Sequence, residues 1–317
     1  MRILHIFDVS NFIYAGNYRN TNATRGVREF DGMYEPNRAP VGGITYLADA
    51  VLETMLGDTN DILLAFDRKP EKKREDYTNV FGYNSDYKGQ RTPDYKIFLQ
   101  KEYAEKLMKA ANVPCAFKTS YEADDVIYST WKKFYNEYDY IRIHTEDSDL
   151  AFMVDTKTEL LPVKKSSKRH ITVENYDYTI NSQKVIPYNL AILTKTVYGD
   201  KADNIPGLKD KKLWLSYIVS SMRKLNYTYP DCGDIEICRE ILLDVVNEHP
   251  ELEDGYMAIS ILNLVTPYLI NLEDVDEPAH DINVPMLKSI SGIVKPSTEF
   301  PIIENILEEY IHEYGNL

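Results

Sequence analysis

The chain has 317 residues, 44% hydrophobic and 27% charged, which suits one large α/β domain or a core with an appended helical region. It contains no 18-residue uncharged apolar run, so no transmembrane helix and no membrane partner are expected. Three cysteines (Cys115, Cys232, Cys238) exclude a disulfide framework and lack zinc-ligand spacing, so a reducing cytoplasm is the expected location. The net charge of −14 is unevenly spread: residues 208–317 carry 8 basic and 20 acidic side chains, leaving 28 and 30 in residues 1–207. Without the nine acids discussed below, the N-terminal part has 28 basic against 21 acidic groups, a surface that could meet phosphates.

Residues 2–8 (RILHIFD) form an apolar run ending in a carboxylate, as in a parallel strand covered on both faces. The run reads as a buried strand, because a secretory signal would need a longer apolar stretch and a small-residue cleavage site. A Gly/Asn/Arg/Pro-rich stretch follows to Pro40, and from Ile44 to Met55 apolar residues keep helical spacing. Residues 61–67 (DILLAFD) read as a second buried strand, and residues 68–95 as a polar loop. Leu99, Tyr103, Leu107 and Ala111 mark a helix stopped before Pro114, and residues 122–135 mark another. Residues 140–144 are a third strand running into TEDSD, and residues 159–163 and 170–173 pair as a hairpin around a basic tip. Residues 187–198 read as a helix leading into a Gly-Asp turn, and the acidic C-terminal third as mainly helical. Strands alternating with helices predict a doubly wound, mostly parallel sheet.

Such a sheet places its active site at the carboxyl ends of its strands. Asp8, Asp67, the Glu122/Asp124/Asp125 group and the Asp147/Asp149 pair all recur there, and Asp200 and Asp203 follow in a turn. Each acid alone is a common turn former or helix cap. Together they would repel one another unless cations neutralised them, and oxygen ligands without histidine or cysteine point to Mg²⁺ or Mn²⁺.

GDKADNIPG (residues 199–207) resembles the G-D-x-x-D-N-I-P-G signature of the polymerase I 5′ nuclease domain and the phage flap endonucleases. EADD (122–125) and the T-x-D-x-D pattern of Thr145, Asp147 and Asp149 resemble two further motifs of this 5′ nuclease superfamily. Asp8 in FDVSN and Asp67 in AFD precede them in family order, and YKGQR (87–91) is similar to the family's Y-K-x-x-R segment. The resemblance covers roughly residues 1–207 and implies a PIN-like α/β fold with two metal ions. It places Asp8, Asp67, Glu122 and Asp124 around the first metal, Asp147 between the sites, and Asp149, Asp200 and Asp203 towards the second. Asp125 would act directly or through a water. Two metals about 3.5–4 Å apart serve in-line hydrolysis, and Lys88 and Arg91 would contact the scissile phosphate. Gly43, with Gly42 before a helix, would accept a phosphate on its amide or let DNA approach, with a plain turn glycine as the alternative. Tyr83, Tyr87 and Tyr95 lie where the family can stack exposed bases, with packing as the alternative for each. The runs KPEKKR (69–74) and KKSSKRH (164–170) are candidates for backbone contact, with a solvated face as the alternative.

Two departures qualify the resemblance. After the signature the family has a glycine-rich turn that grips duplex phosphates and helps bind potassium; here the chain reads GLKDKKLWLSY (207–217). The helix–three-turn–helix segment is therefore divergent and the potassium ion is left open, although Lys209, Lys211 and Lys212 could still contact phosphates. Only 30 residues separate Arg91 from Glu122, room for a short helix and loop, which leaves open whether the family's full threading arch forms.

The resulting expectation is a stand-alone, monomeric, phage-type enzyme working in the cytoplasm. It would have a PIN-like metal-dependent nuclease core (1–207) and an acidic, mainly helical region (208–317). Its activity would be that of a structure-selective 5′-3′ exonuclease or flap endonuclease acting on DNA 5′ ends, or on RNA–DNA hybrids, with replication proteins as partners. A PIN-type endoribonuclease and a non-catalytic nucleic-acid-binding or replisome adaptor are the alternatives.

Overall fold

A computed structural model describes residues 1–19, 27–29, 38–56, 60–82, 86–92, 94–163, 170–173, 177–180, 184–187, 190–293 and 298–316. The chain begins with β1 (Ile3–Asp8), α1 (Val9–Arg19), the short strands β2 (Val27–Glu29) and β3 (Arg38–Pro40), α2 (Gly42–Thr54) and β4 (Asn60–Ala65). Then come α3 (Glu71–Phe81), α4 (Tyr95–Ala110), β5 (Cys115–Ala116), α5 (Ala123–Phe134), β6 (Tyr140–His144) and β7 (Thr158–Leu161). Strands β8 (Asp177–Ile180) and β9 (Lys184–Pro187) precede α6 (Ala191–Tyr198) and the strand pair β10 (Gly199–Asp200) and β11 (Ile205–Pro206). Helices α7 (Lys211–Lys224), α8 (Ile235–Glu248), α9 (Gly255–Val265), α10 (Val284–Ser291) and α11 (Pro301–Gly315) complete it.

The central sheet is five-stranded and parallel in the order β5-β4-β1-β6-β7. Alternation along its strands sends side chains to opposite faces, as a two-residue period requires. Leu4 and Ile6 of β1 and Leu63 and Ala65 of β4 enter one core, together with residues of α5 to α9. Phe7, Ile62 and Leu64 enter the other, with residues of α1, α2, α4, α10 and α11. The fold is thus a three-layered α/β/α arrangement with a helical C-terminal region, as the sequence predicts. Both cores draw on residues from either side of position 207. The C-terminal chain returns to β4, where Ala279 and Ile62 exchange antiparallel backbone hydrogen bonds of 2.9 and 3.2 Å, and α10 and α11 then pack on α2 and α4.

Several local expectations need correction. The polar stretch after Asp8 begins with α1, and residues 68–95 contain α3. Helix α3 is polar around most of its circumference and buries only Lys73 and Tyr77, so apolar periodicity gives little sign of it. Pro187 ends β9 and does not start α6. Thr158–Leu161 is a parallel strand beside β6; the expected hairpin survives as a single antiparallel bridge between Leu160 and Ile171, and its tip lies outside the described residues. Among the described residues no helix is long and apolar enough to cross a membrane. The three cysteines are free and buried.

Candidate active site

Register aligns the acids. Asp8 stands opposite Ala65, so Asp67 lies just past the same edge, and Phe7 opposite His144 puts Thr145 beside Asp8 and Asp147 just beyond. Neighbours β4 and β6 flank β1 on opposite sides, so this edge is the switch point where open α/β sheets form their crevice.

Asp8 accepts hydrogen bonds from Thr145 Oγ1 (3.0 Å) and from the Asn11 side chain. Burial, with Asp67 adding to it, pushes its carboxyl up to about 6. Burial would also raise Asp67, but Lys101, Ser10 and the Ala123 amide (3.0 Å) outweigh it and hold Asp67 at about 2. Glu122 caps α5 in a reciprocal box with Asp125, stays ionised against its burial, and meets Lys73 Nζ at 3.4 Å as well as Lys88. Asp124, in the first turn of α5, is pushed well up by burial and by Asp147 and Asp8. Asp147 accepts the Asp149 amide at 2.8 Å and is raised to about 7 by burial and by Asp149.

The second group is built on the signature turn. Strands β10 and β11 pair Gly199 with Pro206, and Gly199 has φ +75° with Ile205 and Gly207 backbone packed where a Cβ would stand. A side chain there would be both strained and obstructed. The turn holds Asp200 beside Lys195 Nζ at 2.6 Å, and the same ammonium pairs with Asp149. Asp203 accepts Arg91 Nη2 at 2.6 Å and the Tyr87 hydroxyl at 2.9 Å, with Lys88 Nζ at 3.7 Å. The two loops are also tied through backbone, the Lys88 amide donating to Asp203 O at 3.1 Å.

The acids therefore divide into two kinds. Asp67, Glu122, Asp149, Asp200 and Asp203 have ammonium or guanidinium partners. Asp8, Asp124 and Asp147 have none among the described residues, and the charges of Asp8 and Asp147 each raise Asp124. No three acid, histidine or cysteine side chains among the described residues already close into a finished metal cage. Yet buried oxygen donors whose charge the fold leaves uncompensated fit a hard divalent cation. The only histidines nearby, His5 and His144, are engaged with each other at 2.9 Å.

Three expected roles change. Tyr87 is 1% exposed and spends its hydroxyl on Glu122 and Asp203, so it braces the acids and cannot stack on a base. Gly43 donates its amide to Gln100 Oε1 at 2.9 Å and is pressed against Ile13, so it serves helix packing and has no amide free for a phosphate. Asp125 places one oxygen on the Glu122 amide (2.9 Å) and the other on the Tyr268 amide (2.6 Å), so it braces the start of α5. Of the basic run 69–74, Lys73 points inward at 5% exposure and cannot reach DNA. In the divergent turn Asp210 occupies left-handed backbone (φ 43°) at the start of α7, and the Lys209 amide is taken by Asp254. Lys211 and Lys212 are exposed, while Lys209 Nζ pairs with Glu253 at 2.8 Å. Tyr95 is exposed; Tyr83 and residues 164–169 lie outside the described residues.

Sequence alone put Lys73 in a basic run facing DNA or solvent and singled out neither Lys101 nor Lys195. A signal existed for the latter two: Lys195 is the one charge in a helix buried from Ala191 to Val197, and Lys101 interrupts the buried stripe Ile97, Ala104, Met108 and Ala111.

Comparison with known proteins follows the same outline. The family described as 5′-3′ exonuclease, N-terminal resolvase-like domain, matches residues 4–182. The DNA polymerase I of Caldicellulosiruptor bescii is 30% identical over 179 residues, 55% of this chain and 20% of that one. The 5′-3′ exonuclease of Aquifex aeolicus is 28% identical over 213 residues, 66% of this chain and 65% of that one. This chain thus spans a fifth of the first relative and just under two thirds of the second. Two solved structures share the fold at a TM-score of 0.52: T5 5′-exonuclease with bound divalent metal ions (zinc) at 16% identity, and bacteriophage T5 flap endonuclease in a pseudo-enzyme–product complex with DNA and metal ions at 15%. They cover 99% and 100% of this chain and all of their own.

Proposed function

Since the chain belongs to the 5′-3′ exonuclease family through its N-terminal domain, we propose that it is a structure-selective 5′ nuclease. It hydrolyses DNA phosphodiester bonds at 5′ ends or flaps, during replication or repair. The observation that carries the reading is the convergence of Asp8, Asp67, Glu122, Asp124 and Asp147 on the switch-point edge, with Lys88 and Arg91 docked beside Asp203. The core of residues 1–207 supplies all nine candidate acids, and residues 208–317 supply the lysines on the duplex side.

Asp8, Asp67, Glu122 and Asp124 would hold one ion, and Asp149, Asp200 and Asp203 a second, with Asp147 between them. Mg²⁺ or Mn²⁺ bound there supplies an activated water and charge for the leaving oxygen. The chain's own residues do the rest. Asn11 and Thr145 fix the orientation of Asp8, and Asp125 and Tyr87 fix that of Glu122. Lys88 and Arg91 present positive charge where negative charge grows on the phosphate. Lys211 and Lys212 offer side-chain charge to the duplex backbone.

Digestion of 5′-flap, nicked, blunt-duplex and single-stranded substrates with and without Mg²⁺ tests the reading. Metal-dependent release of 5′ products from flap or nicked DNA is expected. Preferential cleavage of single-stranded RNA, or DNA binding with no cleavage at any metal concentration, would overturn it.

A further inference from the structure

One lysine of α4, Lys101, has no part in the chemistry assigned above. Lys101 sits on the inward stripe of that helix, between Ile97 and Ala104, which are 2% and 0% exposed. A charged side chain at a core position is costly without a partner. Its partner is Asp67: Lys101 Nζ lies 3.5 Å from Asp67 Oδ2 and donates to Ser10 Oγ at 3.1 Å, with its side chain 11% exposed. The ring of Phe98 stands 4.9 Å from the ammonium and is itself half exposed. The other Asp67 oxygen is fixed by the Ala123 amide, so Lys101 and Ser10 decide where Oδ2 points.

We infer that Lys101 is a positioning residue that stands in for a divalent cation at Asp67 and must give that carboxylate up when the cation binds. The inference rests on the metal-dependent reading above. An ammonium in contact with Asp67 and a divalent ion on the same carboxylate would repel each other across a few ångströms of poorly screened interior. Of the four acids assigned to the first ion, Asp8 and Asp124 have no such tenant among the described residues, and Glu122 meets Lys73 and Lys88, so Lys101 is the competitor at Asp67 itself. The lysine stem is flexible, and the half-exposed ring of Phe98 beside the ammonium opens a way out to solvent. Lys101 therefore keeps the edge ordered before loading and lowers the affinity of the first ion.

Mn²⁺ binding to the full chain, followed by electron paramagnetic resonance of free Mn²⁺ together with melting curves, tests this. Lys101→Met and the milder Lys101→Gln should each bind the first Mn²⁺ about tenfold more tightly, within the usual range for coupled sites of ~5–150-fold. Both should melt lower than wild type without metal and recover most of the difference at saturating Mn²⁺. Lys106→Met, whose ammonium pairs with Glu102 and Glu309 away from the edge, is the control and should leave Mn²⁺ affinity unchanged. Unchanged or weaker Mn²⁺ binding in both Lys101 variants would overturn the inference. A wild-type chain that binds Mn²⁺ but cleaves no substrate would sink the nuclease reading alone, and one that binds no Mn²⁺ would sink both.

Discussion

Replacing Lys88 with methionine keeps the stem and removes the ammonium at the junction of the two loops. That ammonium is 19% exposed, touches Glu122, and stands 3.7 Å from Asp203. An attraction over such a distance is worth about 4 kcal/mol at the effective dielectric of a protein. A phosphate oxygen arriving at the same ammonium would gain a comparable amount, most of it where transition-state charge builds. Losing one preorganised donor of this kind costs about 3–4 kcal/mol, or two to three orders of magnitude in rate. Arg91→Met should cost less, because its side chain is 56% exposed and water screens it. Single-turnover cleavage of a 5′-flap substrate gives the rate, and binding measured in Ca²⁺ gives the affinity. A melting curve controls for the loss of the Glu122 pair, which Lys73 still partly neutralises. A Lys88→Met enzyme with near-normal single-turnover rate and much weaker binding would refute the reasoning and reduce Lys88 to a backbone grip.

Asp147→Asn should abolish hydrolysis yet raise the metal-free melting temperature, since it relieves repulsion with Asp124 and Asp149; retained turnover at ordinary Mg²⁺ would remove Asp147 from the site. Changing Lys209, Lys211 and Lys212 together to Ala should flatten the slope of log affinity against log salt by about 2 units, at roughly 0.9 per phosphate contact, because Lys209 is already committed to Glu253. Potassium should stimulate the wild type little, because GLKDKKLWLSY replaces the glycine-rich turn, and strong stimulation would show an intact backbone ion site. Burial, with Arg142 adding to it, holds His5 down at about 4, so the unfolded chain takes up this proton first as pH falls. The stability it contributes is present above the usual value near 6.5 and is lost between there and pH 4, up to about 3 kcal/mol. Denaturant titrations of wild type and His5→Leu at several pH values isolate it, and parallel curves would contradict the assignment.

The strands and their terminal acids were legible because each requirement is local. An uninterrupted apolar run ending in Asp is what a strand buried on both faces looks like, and the segments of β1 and β4 supply it, while β6 (YIRIH) runs into the acids of TEDSD. The signature turn was legible for the same reason: Gly199 and Gly207 are needed where backbone crosses backbone. Helix α1 escaped because Ser10, Asn11, Gly16 and Asn17 dilute its apolar pattern, and Gly16 is there to let α2 approach closely. Tyr87 and Gly43 were misjudged because a residue type does not disclose which way it faces. The lysines escaped for a related reason. Composition counts charges, but only packing decides that Lys73 turns into the acids while Lys72 turns out to Asp76. The return of α10 and α11 to α2 and α4 left no local trace at all.

That return has a consequence for how the protein is made. Ile282, Leu287, Ile290, Ile303, Leu307 and Tyr310 complete the core under α1, α2 and α4, and the Tyr310 hydroxyl donates to Pro40 O at 2.7 Å. A nascent chain that has emerged only as far as Gly207 already owns every candidate acid, but the outer side of its α2 and α4 layer is still bare hydrocarbon. During synthesis from the N-terminus it cannot settle that layer until residues some hundred positions later have left the ribosome. Partial products thereby carry the candidate acids on an unfinished layer, and their exposed apolar surface makes them prone to aggregate in that interval. Arrested chains ending near Val275 should bind a hydrophobic dye and be cut rapidly in α2 and α4. Protease resistance there would show that the first layer closes without the last.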